Sequence, residues 1–492
     1  MLRKLSLPSL FFFSIAIFFL LFIHLHGFIS YDDGWFLQGA KRIIDGEIPY
    51  RNFEFLYNPG GLYLNVLGFL LFGESILASR IIALINSFIA VGLIYLIGRG
   101  IKLQKVLIVI LILSYIFWAP GHVNFVWPVV FCLTTALASG FLFLEESKNK
   151  NLNNKLIFST GALSALTFLI KQNFGLAIFL ADIVLLILLK KYRNLKSFLN
   201  FFLGHAIVIF LQLLYFLKTE SLVIYLKQIY YFTYIKIFKE GILNSPLPWE
   251  YPGNILFKIA KTGFYALPLI ISIYAFLIIF RKKKNDILLF FPLVSIFYYL
   301  FSIRPTTDFV HLPPLIAVSL IPLVLISLYE KRRLIKLGSL VLLIGFLTLG
   351  FYSTFFQSYY RWHPPLIKNN YFINGPRVNI WTDKSEAESI KQAIKYFGEH
   401  AKNEEYTFVY NFSPAYYQIL NKKNPTPYDY MHWGVLTNEV EINTVKILKQ
   451  KRIVHLITDE NAYKKQTEIG DFIKKNYKKE LIINKITIWK LL

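Results

Sequence analysis

A ladder of eleven apolar runs restricts this chain more than any other feature; they fall at approximately residues 7–26, 76–98, 103–118, 125–144, 156–170, 174–189, 198–217, 264–280, 287–303, 312–329 and 335–356. A bilayer core of ~30 Å is crossed by roughly 17–25 apolar helical residues. A chain with so many runs of about this length is expected to fold as a polytopic bundle of membrane helices rather than around a soluble core. Its composition agrees, with 55% hydrophobic residues and a mean hydropathy of +0.49, well above soluble globular proteins.

Between alternate runs lie Arg99/Lys102/Lys105, Lys148/Lys150/Lys155, Lys190/Lys191/Arg193/Lys196, Arg281/Lys282/Lys283/Lys284 and Lys331/Arg332/Arg333/Lys336, in register with Arg3/Lys4 at the start. The positive-inside rule makes all of these cytoplasmic, with the N-terminus. The formal charge of +24 is therefore read as topology, and nucleic acid is not expected as a partner. The first run has no small-residue cleavage pattern after it and reads as a retained helix. Cys132, the single cysteine, lies inside an apolar run, which excludes disulfides and Cys-based metal sites within the chain.

Two further apolar stretches, Leu62–Phe72 and Leu222–Phe238, would reverse every later cluster if they spanned. The first is short and the second carries Lys227, Gln228 and Lys236 among aromatics, so both are expected as helices in the outer interface. The expected organisation is a membrane domain over 1–356, with outer loops at 27–75 and 218–263, followed by an extracytoplasmic domain over 357–492. That tail alternates helix Ser385–His400, strand Thr407–Tyr410, helix Asn438–Lys449, strand Ile453–Thr458, helix Ala462–Asn476 and strand Leu481–Trp489, the pattern of a small α/β fold.

The first outer loop is too long to be a mere connector. Asp32 and Asp33 follow the first apolar run, and Phe36, Leu37, Ala40, Ile43 and Ile44 then recur at helical spacing up to Gly46, describing an amphipathic helix. One reading makes Asp33 its N-cap and leaves Asp32 solvated. The other is chemical. Outside the cytoplasm, nucleotide sugars and ATP are absent, so a transferase on that face takes its activated group from a lipid carrier. With a polyprenyl-phosphate sugar, one carboxylate must take a proton from the acceptor hydroxyl and cations must hold the departing phosphate.

The ordered set Asp32-Asp33-Gly34-Trp35-Phe36-Leu37-Gln38-Gly39-Ala40-Lys41-Arg42, Gly46-Glu47-Ile48-Pro49-Tyr50-Arg51-Asn52-Phe53, Asn58-Pro59-Gly60-Gly61-Leu62-Tyr63, Leu71-Phe72-Gly73-Glu74 and Ala78-Ser79-Arg80 resembles the GT-C membrane glycosyltransferases. It is most similar to their branch of protein O-mannosyltransferases and lipid A aminoarabinose transferases. Ile170-Lys171-Gln172-Asn173 and the stretch from Arg304 to His311-Leu312-Pro313-Pro314 extend the likeness across the membrane region. The resemblance implies a GT-C-like fold in the cell's inner membrane. It also implies inverting transfer of a sugar from a polyprenyl-phosphate donor to a lipid, polysaccharide or protein acceptor.

The family's first-loop acidic pair falls on Asp32, implied as the catalytic base, and Asp33, which would orient the base or the acceptor. Where relatives often carry Glu-Lys-Pro, with the Lys near the lipid phosphate, this chain has Tyr57-Asn58-Pro59. Lys171, Arg304 and Arg80, at outward ends of apolar runs, are then the expected phosphate ligands. Arg80 also fits a cation at a helix end reaching for the interface. Trp35, Tyr57, Trp249 and His311 are the candidates for substrate contact, although interfacial aromatic belts are a common alternative for Trp249. Asp182, inside an apolar run, reads as a polar contact within the bundle.

No cofactor is indicated, and a divalent metal is left open. In the tail, Tyr416-Tyr417-Gln418-Ile419-Leu420 and Asn424-Pro425-Thr426-Pro427-Tyr428 are similar to the outer domains of bacterial relatives, which implies a capping or acceptor-recruiting role. Two rival classes stand beside the transferase. One is a transporter or flippase, which would place its key polar groups near the bilayer midplane; the other is a catalytically inactive assembly factor.

Overall fold

The computed structural model describes residues 7–149, 153–232, 247–282, 286–302, 310–361, 363–410, 413–431, 437–459 and 467–492. The chain divides into two compact units, one of Met1–His24, Ala83–Lys218 and Phe232–Leu366, the other of Leu25–Ile82, Thr219–Tyr231 and Ile367–Leu492.

The first unit consists of helices, and all eleven apolar runs form one. They are Leu7–Leu25, Ile76–Gly100, Lys105–Trp118, Pro128–Ser147, Asn154–Ile170, Gln172–Leu188, Leu195–Lys218, Ile255–Lys282, Phe290–Ser302, Leu312–Tyr329 and Arg333–Tyr352. Among the described residues, six are long and apolar enough to cross a membrane: Ile76–Gly100, Pro128–Ser147, Leu195–Lys218, Ile255–Lys282, Leu312–Tyr329 and the last one prolonged to Gln357. The protein is thus a multi-pass membrane protein. Of the basic residues between the runs, Arg3, Lys4, Lys150, Lys283 and Lys284 lie outside the described residues.

Lipid offers no hydrophobic drive between apolar helices, so close backbone approach carries the packing. Asn154–Ile170 and Leu195–Lys218 show it reciprocally. A Cβ on Gly161 would come 2.1 Å from the Phe201 carbonyl oxygen, and one on Gly204 would come 2.1 Å from that of Phe158.

The second unit is built on a four-stranded sheet. Phe408–Tyr410 runs parallel to His455–Asp459, which pairs antiparallel with Ile486–Leu491, and that strand pairs antiparallel with Tyr477–Ile483. Strand alternation gives it two faces. Phe408, Tyr410, Leu456 and Trp489 meet Leu448, Ile469 and Ile473 from the helices Asn438–Lys451 and Glu468–Asn476. Val409, Ile457 and Ile488 belong to a core with Ile390, Ala393 and Phe397 of the helix Lys384–His400.

That core also takes in Phe28, Leu37, Ala40, Val66, Phe69 and Ile76. The segment expected as the first outer loop is therefore part of the same hydrophobic core as the tail. Its helices are Asp32–Ile44 and Gly60–Phe72. The approach is close enough to require glycine, since a Cβ on Gly34 would meet the Ala415 backbone nitrogen at 2.5 Å.

Three tail elements differ from expectation. The strand expected over Leu481–Trp489 is a hairpin, turned at Asn484-Lys485 with Asn484 at φ +38°, a conformation that asparagine tolerates better than most residues. A second hairpin, Tyr371–Ile373 with Ile380–Thr382, and a short helix, Ala415–Leu420, were not expected. Both are too short to show a period. The helix expected from Ala462 is described only from Glu468. Leu222–Phe238 forms a helix over Leu222–Leu226 and a π-turn over Lys227–Phe232, and its remainder, with Lys236, lies outside the described residues.

Candidate active site

The helix Asp32–Ile44 starts without a side-chain cap. Tyr31 occupies the N-cap position, and both acids fall in the first turn, where the helix dipole favours negative charge. The reading of Asp33 as a cap over a solvated Asp32 is thereby overturned, since Asp32 is 4% exposed and Asp33 fully buried.

Asp33 points to Arg80. Ser75 opens the next long helix by accepting from the Ala78 amide at 3.1 Å, and the Ile76 amide donates to the Arg377 carbonyl at 3.0 Å. Arg80, one turn further on, places Nη2 2.7 Å from Asp33 Oδ2 and 3.1 Å from the Gly27 carbonyl. Asp33 Oδ1 has no hydrogen-bond partner among the described residues. Burial pushes the Asp33 carboxyl up to about 6; Arg80 works against that rise and Asp32 adds to it. One salt bridge therefore leaves this carboxylate easier to protonate than an ordinary one.

Asp32 faces the tail. The Tyr430 hydroxyl donates to Asp32 Oδ1 at 3.2 Å, while the Tyr430 ring stacks on Trp35 with centroids 4.7 Å apart and planes 22° apart. Phe55 and Tyr57 close on Trp35 at 4.9 and 5.7 Å. Trp35, a candidate for substrate contact, is thus 5% exposed, and Tyr57 is half-buried.

Sequence reasoning missed Tyr430. The motif before it explains how it is held. Asn424 Oδ1 accepts from the Thr426 amide at 2.9 Å and Asn424 Nδ2 donates to Asp429 Oδ1 at 2.8 Å, a side-chain-braced turn. Arg42 then donates to Asp429 at 2.9 Å, to the Thr426 carbonyl at 3.0 Å and to Glu47 at 2.8 Å. Only the Pro- and Asn-rich punctuation of that motif signalled a built turn.

Asn58 is the residue that the resemblance sets against a lysine. It is fully buried, and its Oδ1 accepts from Tyr225 at 2.8 Å. The second outer loop is fastened there and by Gln228, which accepts from the Phe55 amide at 3.2 Å.

Asp32, Asp33, Arg80, Trp35 and Tyr57 are thus gathered in the second unit. Lys171, Trp249 and His311 belong to the first unit. Lys171 is the only residue between the helices Asn154–Ile170 and Gln172–Leu188, extended and 6% exposed. His311 precedes the helix Leu312–Tyr329 and is half-buried, and Trp249 is 51% exposed in a turn. Arg304 lies outside the described residues. Asp182 is buried, with neither carboxylate oxygen hydrogen-bonded among the described residues. No cluster of three His, Cys, Asp or Glu side chains that could hold a metal occurs among the described residues.

No protein-family profile matches the sequence, and no curated protein matches it. Solved structures do. ArnT from Cupriavidus metallidurans bound to undecaprenyl phosphate superposes with a TM-score of 0.58 at 10% identity, over 98% of this chain and 97% of that one. Its apo state gives 0.59 at 9% identity over the same shares. The fold is GT-C-like. At this identity the likeness speaks for the path of the chain, including the GT-C-like arrangement of a helical membrane region with a small C-terminal sheet.

Proposed function

We propose that the protein is an inner-membrane glycosyltransferase that moves a sugar from a polyprenyl-phosphate donor to an acceptor hydroxyl on the outer face. The observation that carries this reading is the buried acidic pair, one member ion-paired to Arg80 and the other presented to a phenol, at the start of a loop helix in a GT-C-like fold. The ArnT structure of that fold binds undecaprenyl phosphate, the class of carrier such a donor would use.

Asp32 takes the proton of the acceptor O–H while the oxygen attacks the anomeric carbon from the face opposite the phosphate. The new C–O bond forms as the old one breaks, the bonding pair leaves with the polyprenyl phosphate, and the configuration inverts. Asp33, anchored by Arg80, keeps negative charge beside the base and fixes the helix start. Arg80 thus acts through Asp33 in this reading. Lys171 and Arg304 are assigned to the donor phosphate on the sequence argument, and Trp249 and His311 to substrate contact. The N-terminus is assigned to the cytoplasm, residues 1–356 to the membrane domain and 357–492 to an outer α/β domain.

The test is transfer from undecaprenyl-phosphate-linked sugars in membranes holding equal amounts of wild type and Asp32→Asn. Loss of product in the variant is expected. Undiminished transfer by the variant removes Asp32 as the base.

A further inference from the structure

We propose that Tyr430 holds the acceptor's place at Asp32, and so decides whether the donor is transferred or hydrolysed. This rests on Asp32 as the base. A phenol O–H directed at Asp32 Oδ1 at 3.2 Å makes the hydrogen bond that an acceptor alcohol must make before it gives up its proton. The base would therefore engage a hydroxyl before any acceptor arrives.

The surroundings fix the turn that carries this hydroxyl. Asp429, the preceding residue, is pinned by Arg42 at 2.9 Å, Asn424 at 2.8 Å and Gln38 at 3.4 Å, so the backbone at this point is fixed. The Tyr430 side chain stacks on Trp35 and donates to Asp32. It is half-buried, whereas Asp32 and Trp35 are 4% and 5% exposed. A change of the Tyr430 rotamer would take its hydroxyl off Asp32 while the contacts of Asp429 kept the turn. An activated glycosyl donor beside a carboxylate base is open to water, and excluding water prevents that side reaction. Hydrolysis would follow the same bond changes as transfer: water gives its proton to Asp32, its oxygen bonds the anomeric carbon, and polyprenyl phosphate leaves with the bonding pair.

Removing only the hydroxyl opens a space about the size of one water beside Asp32. The full-length wild type, Tyr430→Phe, Asp32→Asn and the double variant are reconstituted in proteoliposomes. Each is given a panel of undecaprenyl-phosphate-linked hexoses and pentoses with water as the only acceptor, and free sugar is followed by mass spectrometry. Tyr430→Phe is expected to release sugar about ten- to a hundredfold faster than wild type, the factor that a hydrogen bond to a charged group represents, and the double variant to release none. Tyr430→Leu should change the rate in the same direction, which guards against a fold defect in one variant. A rate in Tyr430→Phe equal to or below wild type, or no release from any donor, overturns the role of Tyr430; if Asp32→Asn still abolishes transfer in membranes, the base assignment survives. Undiminished hydrolysis in the double variant sinks both.

Discussion

The helix Asp32–Ile44 carries charge at both ends, and the two ends are treated differently. At the C-terminal end Lys41 pairs with Asp45 at 2.6 Å, and Arg42 meets Glu47, Asp429 and the Thr426 carbonyl while lying 4.8 Å over the Phe53 ring. Burial works against the Arg42 charge, but Asp429 and Glu47 outweigh it and raise its pKa. Asp429 Oδ1 receives three donors, although its Oδ2, like Asp33 Oδ1, accepts none among the described residues. At the N-terminal end Asp33 has one ion-pair partner and an oxygen with no hydrogen bond among the described residues, and its pKa rises to about 6. Charge shared among several partners fixes a geometry. A buried carboxylate with acceptor capacity left over and a shifted titration is where chemistry is to be sought.

The sharpest break of this comparison is a substitution at each end. Asp32→Asn should lower kcat/KM by about 10²–10⁴, the usual contribution of a positioned base, with the thermal unfolding midpoint unchanged. Arg42→Met should do the reverse. It strands Asp429 and Glu47, at a stability loss of about 3–5 kcal/mol, while the kcat/KM of the folded fraction should fall far less than in Asp32→Asn. If Arg42→Met removed activity with no loss of stability, the two ends would not differ in kind.

How much of this was legible depended on the range of the interactions. Apolar runs closed by Lys and Arg set most helices of the first unit within a few residues, because each run reports its own surroundings; the helix Ile255–Lys282 begins nine residues before the run expected from 264. The acidic pair was legible too, from local order in Asp32-Asp33-Gly34-Trp35. Its partners were not. Tyr430 lies 398 positions from Asp32, and Ala415 is far from the Gly34 that accommodates it. Nothing local in either segment shows that the first loop and the tail bury their apolar faces in a common core. The same holds for Arg80, a basic residue near a helix start whose partner only the folded chain reveals.

A smaller effect tests the N-terminal end alone. The base works while Asp32 is charged beside Asp33, and falling pH adds a proton to the pair as it passes about 6, the value to which burial raises Asp33. The acid limb of kcat/KM against pH should therefore lie near 6, above the ordinary carboxylate range. Asp33→Asn removes the adjacent negative charge and leaves Arg80 without its anion. Both changes favour the charged form of Asp32, so the limb should move down by about one unit. A limb that stayed in place, or moved up, would separate Asp33 from the titrating pair.

The smallest effect concerns the fastening of the second outer loop, where Tyr225 donates to the buried Asn58 at 2.8 Å and its ring meets Tyr50 at 5.1 Å. Tyr225→Phe keeps the ring contact and leaves Asn58 Oδ1 one donor short, a loss of about 1 kcal/mol for a neutral hydrogen bond. The resemblance sets Asn58 against a lysine near the lipid phosphate; with Asn58 held by Tyr225 instead, its partner should matter to stability and not to the donor. The expected result is a small drop in the unfolding midpoint with the KM for an undecaprenyl-phosphate sugar unchanged. A raised KM at unchanged stability would make Asn58 and Tyr225 part of the donor site after all, and would place function in a contact that resembles the structural end of the loop helix.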